Sequence, residues 1–222
     1  MIRLHHCHQS RSMRSLWLLH ELGVPFELAV HPFDKSLRAP EYLSLNPAGR
    51  VPALEIDGDV VWETGAITQV LCERYPEAGL GRGVDDLDRA DWLIWVHFAE
   101  TISQHVAALT QQHIMLYEDA MRSPIVMRLE AARLGKCYAA IEGQLSTPVE
   151  NRDYLLTSGF SAADISVGQA VYMGRHFAPI EPFSELTKWY ARITERPAFQ
   201  ASLPPEGAER LYARDFYEAW DG

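Results

Sequence analysis

At about residue 80 the hydrophobic spacing of this chain changes, and that change restricts the folds open to it. Before it, strand and helix signals alternate. "IRLHHCH" (2–8) is a short strand-like run, and "SMRSLWLLHEL" (12–22) sets Met13, Leu16, Trp17, Leu19 and Leu22 at helical spacing, stopping at Gly23 with Pro25 beyond. "FELAV" (26–30) places Phe26, Leu28 and Val30 on one face of a second strand, which makes a βαβ unit with an expected right-handed connection. After an irregular loop, "PALEIDGDVVWE" (52–63) has two apolar runs joined by Asp57-Gly58, a pair suited to the positive φ values of a tight hairpin. "TGAITQVLCERYP" (64–76) then carries Ile67, Val70 and Leu71 on one helical stripe and ends before Pro76. Beyond "EAGLGRGVDDLD" (77–88), which reads as a linker and helix start, segments near 86–117, 123–146, 161–177, 183–195 and 205–219 all show helical spacing.

The expectation is a small α/β domain over residues 1–80 followed by an all-α helical bundle over 86–222. A chain of 222 residues, 47% hydrophobic and 23% charged, can bury the cores this requires. Its formal charge of −10 works against nucleic acid or an anionic membrane as main partner, since both need a basic footprint. The beginning "MIRLHHCHQ" does not read as a secretory signal, and no stretch approaches the roughly 20 apolar residues of a membrane span. Cys7, Cys72 and Cys137 are odd in number and widely spaced, which suits reduced thiols and a cytoplasmic location.

Three stretches carry candidate chemistry. In "NPAGRVPALEIDG" (46–58), Val51-Pro52 introduces a strand whose first residue cannot donate to a ladder. A cis bond would turn the backbone of Val51 outward toward an extended peptide ligand, but the residues alone favour trans, the common state of X-Pro bonds. In "VVWETGAITQVL" (60–71) a strand runs into a helix with Thr64 placed as N-cap. The helix N-terminus could receive a carboxylate and Glu63 an ammonium group; a plain cap beside a surface glutamate is the alternative. In "HHCHQSRSMR" (5–14), His6 and His8 share one strand face while His5 and Cys7 share the other, so two histidines alone leave a zinc site incomplete. His97, His105 and His113 recur every eight residues, a spacing that drifts about 80° per step around a helix and forms no ligand face. No metal site is expected.

Taken together, "SRSMRSLWLLHELGVPFEL", "LNPAGRVPALEIDG" and "WETGAI" resemble, in order and spacing, the amino-terminal domain of a glutathione transferase, a thioredoxin-like fold. "SGFSAADISVGQAVYM" (158–173) resembles the same family's buried carboxy-terminal helix, with Ser161 and Asp164 in capping-box positions and Phe160 and Ile165 as a hydrophobic staple. The resemblance implies glutathione as cosubstrate, an electrophilic second substrate, a role in detoxification and a homodimer. It further implies that Val51 pairs its backbone with the cysteinyl unit, that Glu63 and Thr64 hold the γ-glutamyl end, and that Arg50 lies near the glycine carboxylate. Thr64 replaces the commoner serine and keeps its hydroxyl. Ser10, four residues before Arg14, is similar to the catalytic serine of bacterial serine-type members. Ser12, the more natural N-cap, and Cys7, which lies near the place where some relatives of the family use a reactive cysteine, are the other candidates. A Cys7-based thiol-disulfide or peroxidase activity, or a non-catalytic glutathione-binding or interaction protein, are the competing functions. For the second substrate, His105, Val106, Leu109 and Met115 and the tail residues Tyr212, Phe216 and Trp220 are available, although such stripes are more often core.

Overall fold

The computed structural model describes residues 1–147 and 152–219, which divide into two compact units. The first comprises Met1–Arg89 with Thr194–Leu211; the second comprises Ala90–Ile193 with the tail from Tyr212 onward. Trp220 lies outside the described residues.

The first unit runs β1 (Ile2–His6), α1 (Met13–Leu22), β2 (Glu27–Val30), a 3₁₀ turn (Lys35–Arg38), the short α2 (Pro40–Leu43), β3 (Ala53–Ile56), β4 (Asp59–Trp62) and α3 (Thr64–Arg74). The strands lie in the order β2-β1-β3-β4, with β1 parallel to β2 and antiparallel to β3, and β3 antiparallel to β4. This is the thioredoxin-like sheet that the sequence points to. The hairpin turns at Asp57 and Gly58, with φ values of 52° and 96°, and α1 stops where Gly23 turns left-handed at φ 65°. Leu4, Leu54 and Ile56 from the sheet, Trp17, Leu18 and Leu19 from α1, and Ile67 and Leu71 from α3 are buried. On the edge strand β2, Leu28 and Val30 remain exposed. The loop expected to be irregular between β2 and β3 contains the two short helical turns.

One further helix, α8 (Pro197–Ser202), belongs to this unit. Phe199 meets the Trp17 ring edge-on with centroids 4.9 Å apart. Just before the helix, the Arg196 guanidinium grips Glu21 with both arms, donating from Nε at 2.6 Å and from Nη2 at 2.7 Å. Trp17 Nε1 donates to the same carboxylate at 3.0 Å.

The second unit is helical: α4 (Arg89–Thr110) continuing as a π-helical turn (Gln111–Met115), α5 (Pro124–Leu145), α6 (Ala162–Gly174) and α7 (Ser184–Thr194). Ser123 caps α5, accepting from the Val126 N–H at 3.3 Å. The Glu142 carboxylate caps α7 from a distance in sequence, accepting from the N–H groups of Glu185 at 2.9 Å and Leu186 at 2.8 Å. Helix α6 is buried along its whole length and carries the expected capping box: Ser161 Oγ accepts from the Ala163 N–H, and Asp164 Oδ2 accepts from the Ser161 N–H at 2.9 Å.

The helix expected over 205–219 does not form, and the described residues after α8 are irregular. Pro204 and Pro205 remove two N–H donors and Gly207 sits at φ 79°, so the segment cannot continue as a helix. Its apolar residues act as separate anchors instead. Tyr212 is buried and stacks on His176 at 4.6 Å between centroids, while the Tyr217 N–H donates to the His176 carbonyl at 2.8 Å.

Candidate functional site

Strand register brings the three candidate stretches to one end of the sheet. His5 pairs with Ala53, and Ala53 with Trp62. The exit of β1 toward Cys7, the entry of β3 from Val51-Pro52 and the exit of β4 toward Glu63 therefore share one end of the sheet. Helices α1 and α3 both start there, so their unsatisfied N–H groups and positive dipole ends add to the same region. Arg14, in the first turn of α1 and buried, donates from Nη1 to Thr64 Oγ1 at 2.9 Å, tying the two helix starts together.

The Val51-Pro52 peptide is cis, against the trans form that the residues alone favour. Asn46 organises the approach to it. Its Oδ1 accepts from the Ala48 N–H at 3.0 Å, and its Nδ2 donates to the Arg50 carbonyl at 2.7 Å and the Pro52 carbonyl at 3.3 Å. Tyr42 Oη also donates to the Arg50 carbonyl, at 2.8 Å. Gly49 has φ 61°, and a Cβ there would come within 3.0 Å of the Leu37 carbonyl. The Arg50 backbone is thus fixed while its side chain stays exposed, and Val51 is half-buried.

Thr64 is not the N-cap. That position belongs to Glu63, with φ 74° and ψ 123°, and Thr64 is the first residue of α3, its side chain buried against Arg14. The exposed Glu63 holds a backbone conformation that costs about 1–3 kcal/mol in a residue with a Cβ. Replacing it with glycine, which costs about 0.5–1 kcal/mol in unfolded-state entropy, should give a net gain of about 1 kcal/mol. A thermal melt should show a rise of about 2–4 °C for Glu63→Gly, and a fall would mean that the conformation is not strained.

The opening of α1 holds a hydrogen-bonded string of hydroxyls. Ser12 stands at the N-cap position, but its side chain makes no capping bond. Instead Ser12 Oγ accepts from the Cys7 N–H at 3.1 Å and lies 2.8 Å from His6 Nδ1 and 2.7 Å from Ser10 Oγ. Ser10 Oγ donates to the Cys7 carbonyl at 2.8 Å and accepts from the Ser12 N–H at 3.2 Å. Both serines are buried. His6 stands 5.2 Å from the His8 ring, edge to face, and burial together with that neighbour holds its pKa at about 3.

This lowered value makes a pH prediction. Between pH 6.5 and 3 the unfolded chain takes up a proton that folded His6 refuses. The stabilisation is therefore complete above pH 6.5 and is lost as pH falls toward 3, by about 2 kcal/mol at pH 5. Urea unfolding of His6→Asn should lack that part of the acid slope; an unchanged slope would assign it to other groups.

Cys7 lies just past β1, buried in a cluster with Leu37 and Tyr42, its Sγ 3.7 Å from the Pro32 carbonyl. Burial and the Asp34 charge push its thiol up to about 12, so it is neither exposed nor ionised near neutral pH. On the same side, His5 bridges His31 at 2.9 Å and Glu55 at 2.9 Å. Among the described residues no three His, Cys, Asp or Glu side chains are grouped to hold a metal ion. In the second unit His105 pairs with Glu130 at 2.6 Å and His113 stacks on Phe177.

Sequence reasoning missed His6, Tyr42 and Arg14 as organisers of these loops. Of these, Arg14 carried a signal, being a charged residue just ahead of the apolar run Leu16–Leu19.

Comparison with known proteins matches residues 10–74 to the family model of the glutathione S-transferase N-terminal domain and residues 125–197 to that of the C-terminal domain. Glutathione S-transferase 3 of Schizosaccharomyces pombe is 25% identical over 205 residues, covering 89% of this chain and 85% of the relative. The solved glutathione S-transferase of Xylella fastidiosa superposes with a TM-score of 0.79 at 24% identity, covering 91% and 97% of the two chains. A glutathione transferase of Phanerochaete chrysosporium, solved in complex with oxidized glutathione, has a TM-score of 0.77 at 25% identity and coverage of 90% and 94%. With both halves matched in order and their models spanning more than half of its length, this chain belongs to the glutathione transferase family of enzymes.

Proposed function

We propose that this protein is a serine-type transferase of bacterial kind that binds glutathione, ionises its thiol with the Ser10 hydroxyl and directs the sulfur onto a small electrophile. The observation that carries this reading is the convergence of the Ser10 loop, Val51-Pro52 and Glu63-Thr64 at one end of the sheet beside two helix N-termini. The end of strands beside helix N-termini is where open α/β sheets take anionic ligands. Val51 would pair with the cysteinyl backbone, Glu63 with the γ-glutamyl ammonium, the α3 N-terminus with Thr64 with its carboxylate, and Arg50 with the glycine carboxylate.

A free thiol has a pKa of about 8.5, and lowering it by two units needs about 2.7 kcal/mol of preference for the thiolate. A hydrogen bond to a charged acceptor supplies about 1.5–3 kcal/mol and a helix N-terminus about 0.3–1. One hydroxyl at the start of α1 is therefore sufficient. The thiol proton leaves to solvent, the sulfur lone pair forms the C–S bond, and the displaced pair departs with the leaving group or moves onto a conjugated acceptor. The buried, un-ionised thiol of Cys7 makes it the weaker centre. We read the setting as a cytoplasmic homodimer acting in detoxification.

Calorimetric titration with glutathione near pH 7, in two buffers of different ionisation heat, tests this. Binding with release of most of one proton supports the reading. Binding without release leaves a glutathione-binding protein that does not activate the thiol, and absence of binding overturns the assignment.

A further inference from the structure

We propose that His6 is a positioning residue that, acting through Ser12, turns the Ser10 hydroxyl proton away from Ser12 so that it can be donated onward. This rests on the reading of Ser10 as the group that holds the thiolate, and a count of protons carries it. Three close contacts run in series: His6 Nδ1 to Ser12 Oγ at 2.8 Å, Ser12 Oγ to Ser10 Oγ at 2.7 Å, and Ser10 Oγ to the Cys7 carbonyl at 2.8 Å. Each needs one proton from one of its own two atoms. The carbonyl has none, so the last contact takes the Ser10 proton. The middle contact must then take the Ser12 proton, and the first can be filled only by an N–H on His6 Nδ1.

The ring is neutral, because burial and His8 depress its pKa, so a proton on Nδ1 leaves Nε2 bare. Nε2 is buried and has no hydrogen-bond partner among the described residues, as an unprotonated nitrogen facing no donor would be. The opposite tautomer would bury an N–H with nothing to receive it and leave three contacts to share two protons. The Cys7 N–H takes the other lone pair of Ser12 Oγ, so that oxygen is filled and its hydrogen faces Ser10, with the Cys7 carbonyl a more distant acceptor at 3.3 Å. Donation runs one way, from His6 to Ser12 to Ser10.

The consequence falls on the last proton of the series. With the Ser12 N–H and O–H both donated to its oxygen, Ser10 can only give its own hydrogen. In the structure it is given to the neutral Cys7 carbonyl. A thiolate competes well for it, since a hydrogen bond to an anion is roughly twice as strong as a neutral one. Each bond upstream polarises the next, strengthening the terminal donor by about 10–30% per bond.

The test reads the pKa of glutathione bound to the whole enzyme from thiolate ultraviolet absorbance, in Ser10→Ala, His6→Phe, His6→Asn and the His6→Phe/Ser10→Ala pair. Losing the upstream polarisation in His6→Phe should raise the bound thiol's pKa by about 0.5, a threefold smaller thiolate fraction below that pKa. His6→Asn, whose amide N–H can occupy the place of Nδ1–H, should restore it. In the Ser10→Ala background, His6→Phe should change nothing further. A shift that persists there, or that asparagine does not restore, means that His6 acts through packing and overturns the proposal. No shift in His6→Phe while Ser10→Ala raises the pKa overturns the relay and leaves the Ser10 reading intact; no shift in Ser10→Ala overturns both. Histidine ¹⁵N NMR of the native protein gives a reading that depends on no variant's folding. A protonated Nδ1 on His6 is expected, and a protonated Nε2 would overturn the assignment.

Discussion

Replacing Asp164 with alanine should lower the melting temperature by about 10 °C or more and leave a large fraction of the protein unfolded at 37 °C. The carboxylate is fully buried, and three N–H groups depend on it: those of Leu155 and Trp189 donate to Oδ1, each at 2.9 Å, and that of Ser161 to Oδ2 at 2.9 Å. Alanine leaves all three without an acceptor, at about 1–3 kcal/mol each. Burial works in the opposite direction, pushing the carboxyl pKa up to about 6 even though these hydrogen bonds favour the ionised form. Removing the charge therefore returns part of the desolvation cost, and a net loss of about 4 kcal/mol is the expected balance. That is a large share of the 5–15 kcal/mol that typically holds a domain together. Asparagine should recover part of it, because its one oxygen can still serve one side of the site. Calorimetric melts of the three proteins decide the matter; an Asp164→Ala variant within 2 °C of the parent would mean that the three donors find other acceptors.

Ser10→Ala should cut kcat by about 10- to 150-fold while changing the glutathione affinity no more than threefold. The rate loss corresponds to the 1.5–3 kcal/mol of a hydrogen bond to an ionised acceptor. The affinity should be spared because, in the proposed reading, Val51, Glu63, Thr64 and Arg50 hold the peptide. Initial rates over a panel of electrophiles, with affinity measured separately, separate the two effects. Cys7→Ala should keep at least half of the activity, since its thiol is buried and un-ionised. If Cys7→Ala abolishes turnover and Ser10→Ala does not, the chemistry runs through the cysteine.

The parts of this fold written in local signals were legible. Asp57-Gly58 announced the hairpin, Gly23 the end of α1, and Ser161 with Asp164 the start of α6, because each depends on residues within one turn. Signals that depend on distant partners were not. Helical spacing over 205–219 was real as a pattern, but Tyr212 and Tyr217 use their rings and backbone to reach His176, a contact no periodicity encodes. The placement of Thr64 was wrong by one residue because nothing in a glutamate announces a φ of 74°. The cis bond at Val51 is equally silent, since the same dipeptide is trans in most settings. At the candidate site the sequence supplied the hydroxyls and the loops. It did not supply His6, whose part depends on an imidazole nitrogen meeting a hydroxyl six residues away across a turn.

The course of the chain through its two units has a practical consequence for anyone cutting the gene. The polypeptide leaves the first unit at residue 89, returns to it from Thr194 to Leu211, and leaves again for the tail. A fragment ending at residue 89 would lack Arg196 and Phe199, exposing Trp17 and stripping Glu21 of its guanidinium partner. Such a fragment should be poorly soluble. A usable one must carry residues 194–211 grafted back through a designed linker, so exchange of either half between relatives has to move two separate stretches of coding sequence together.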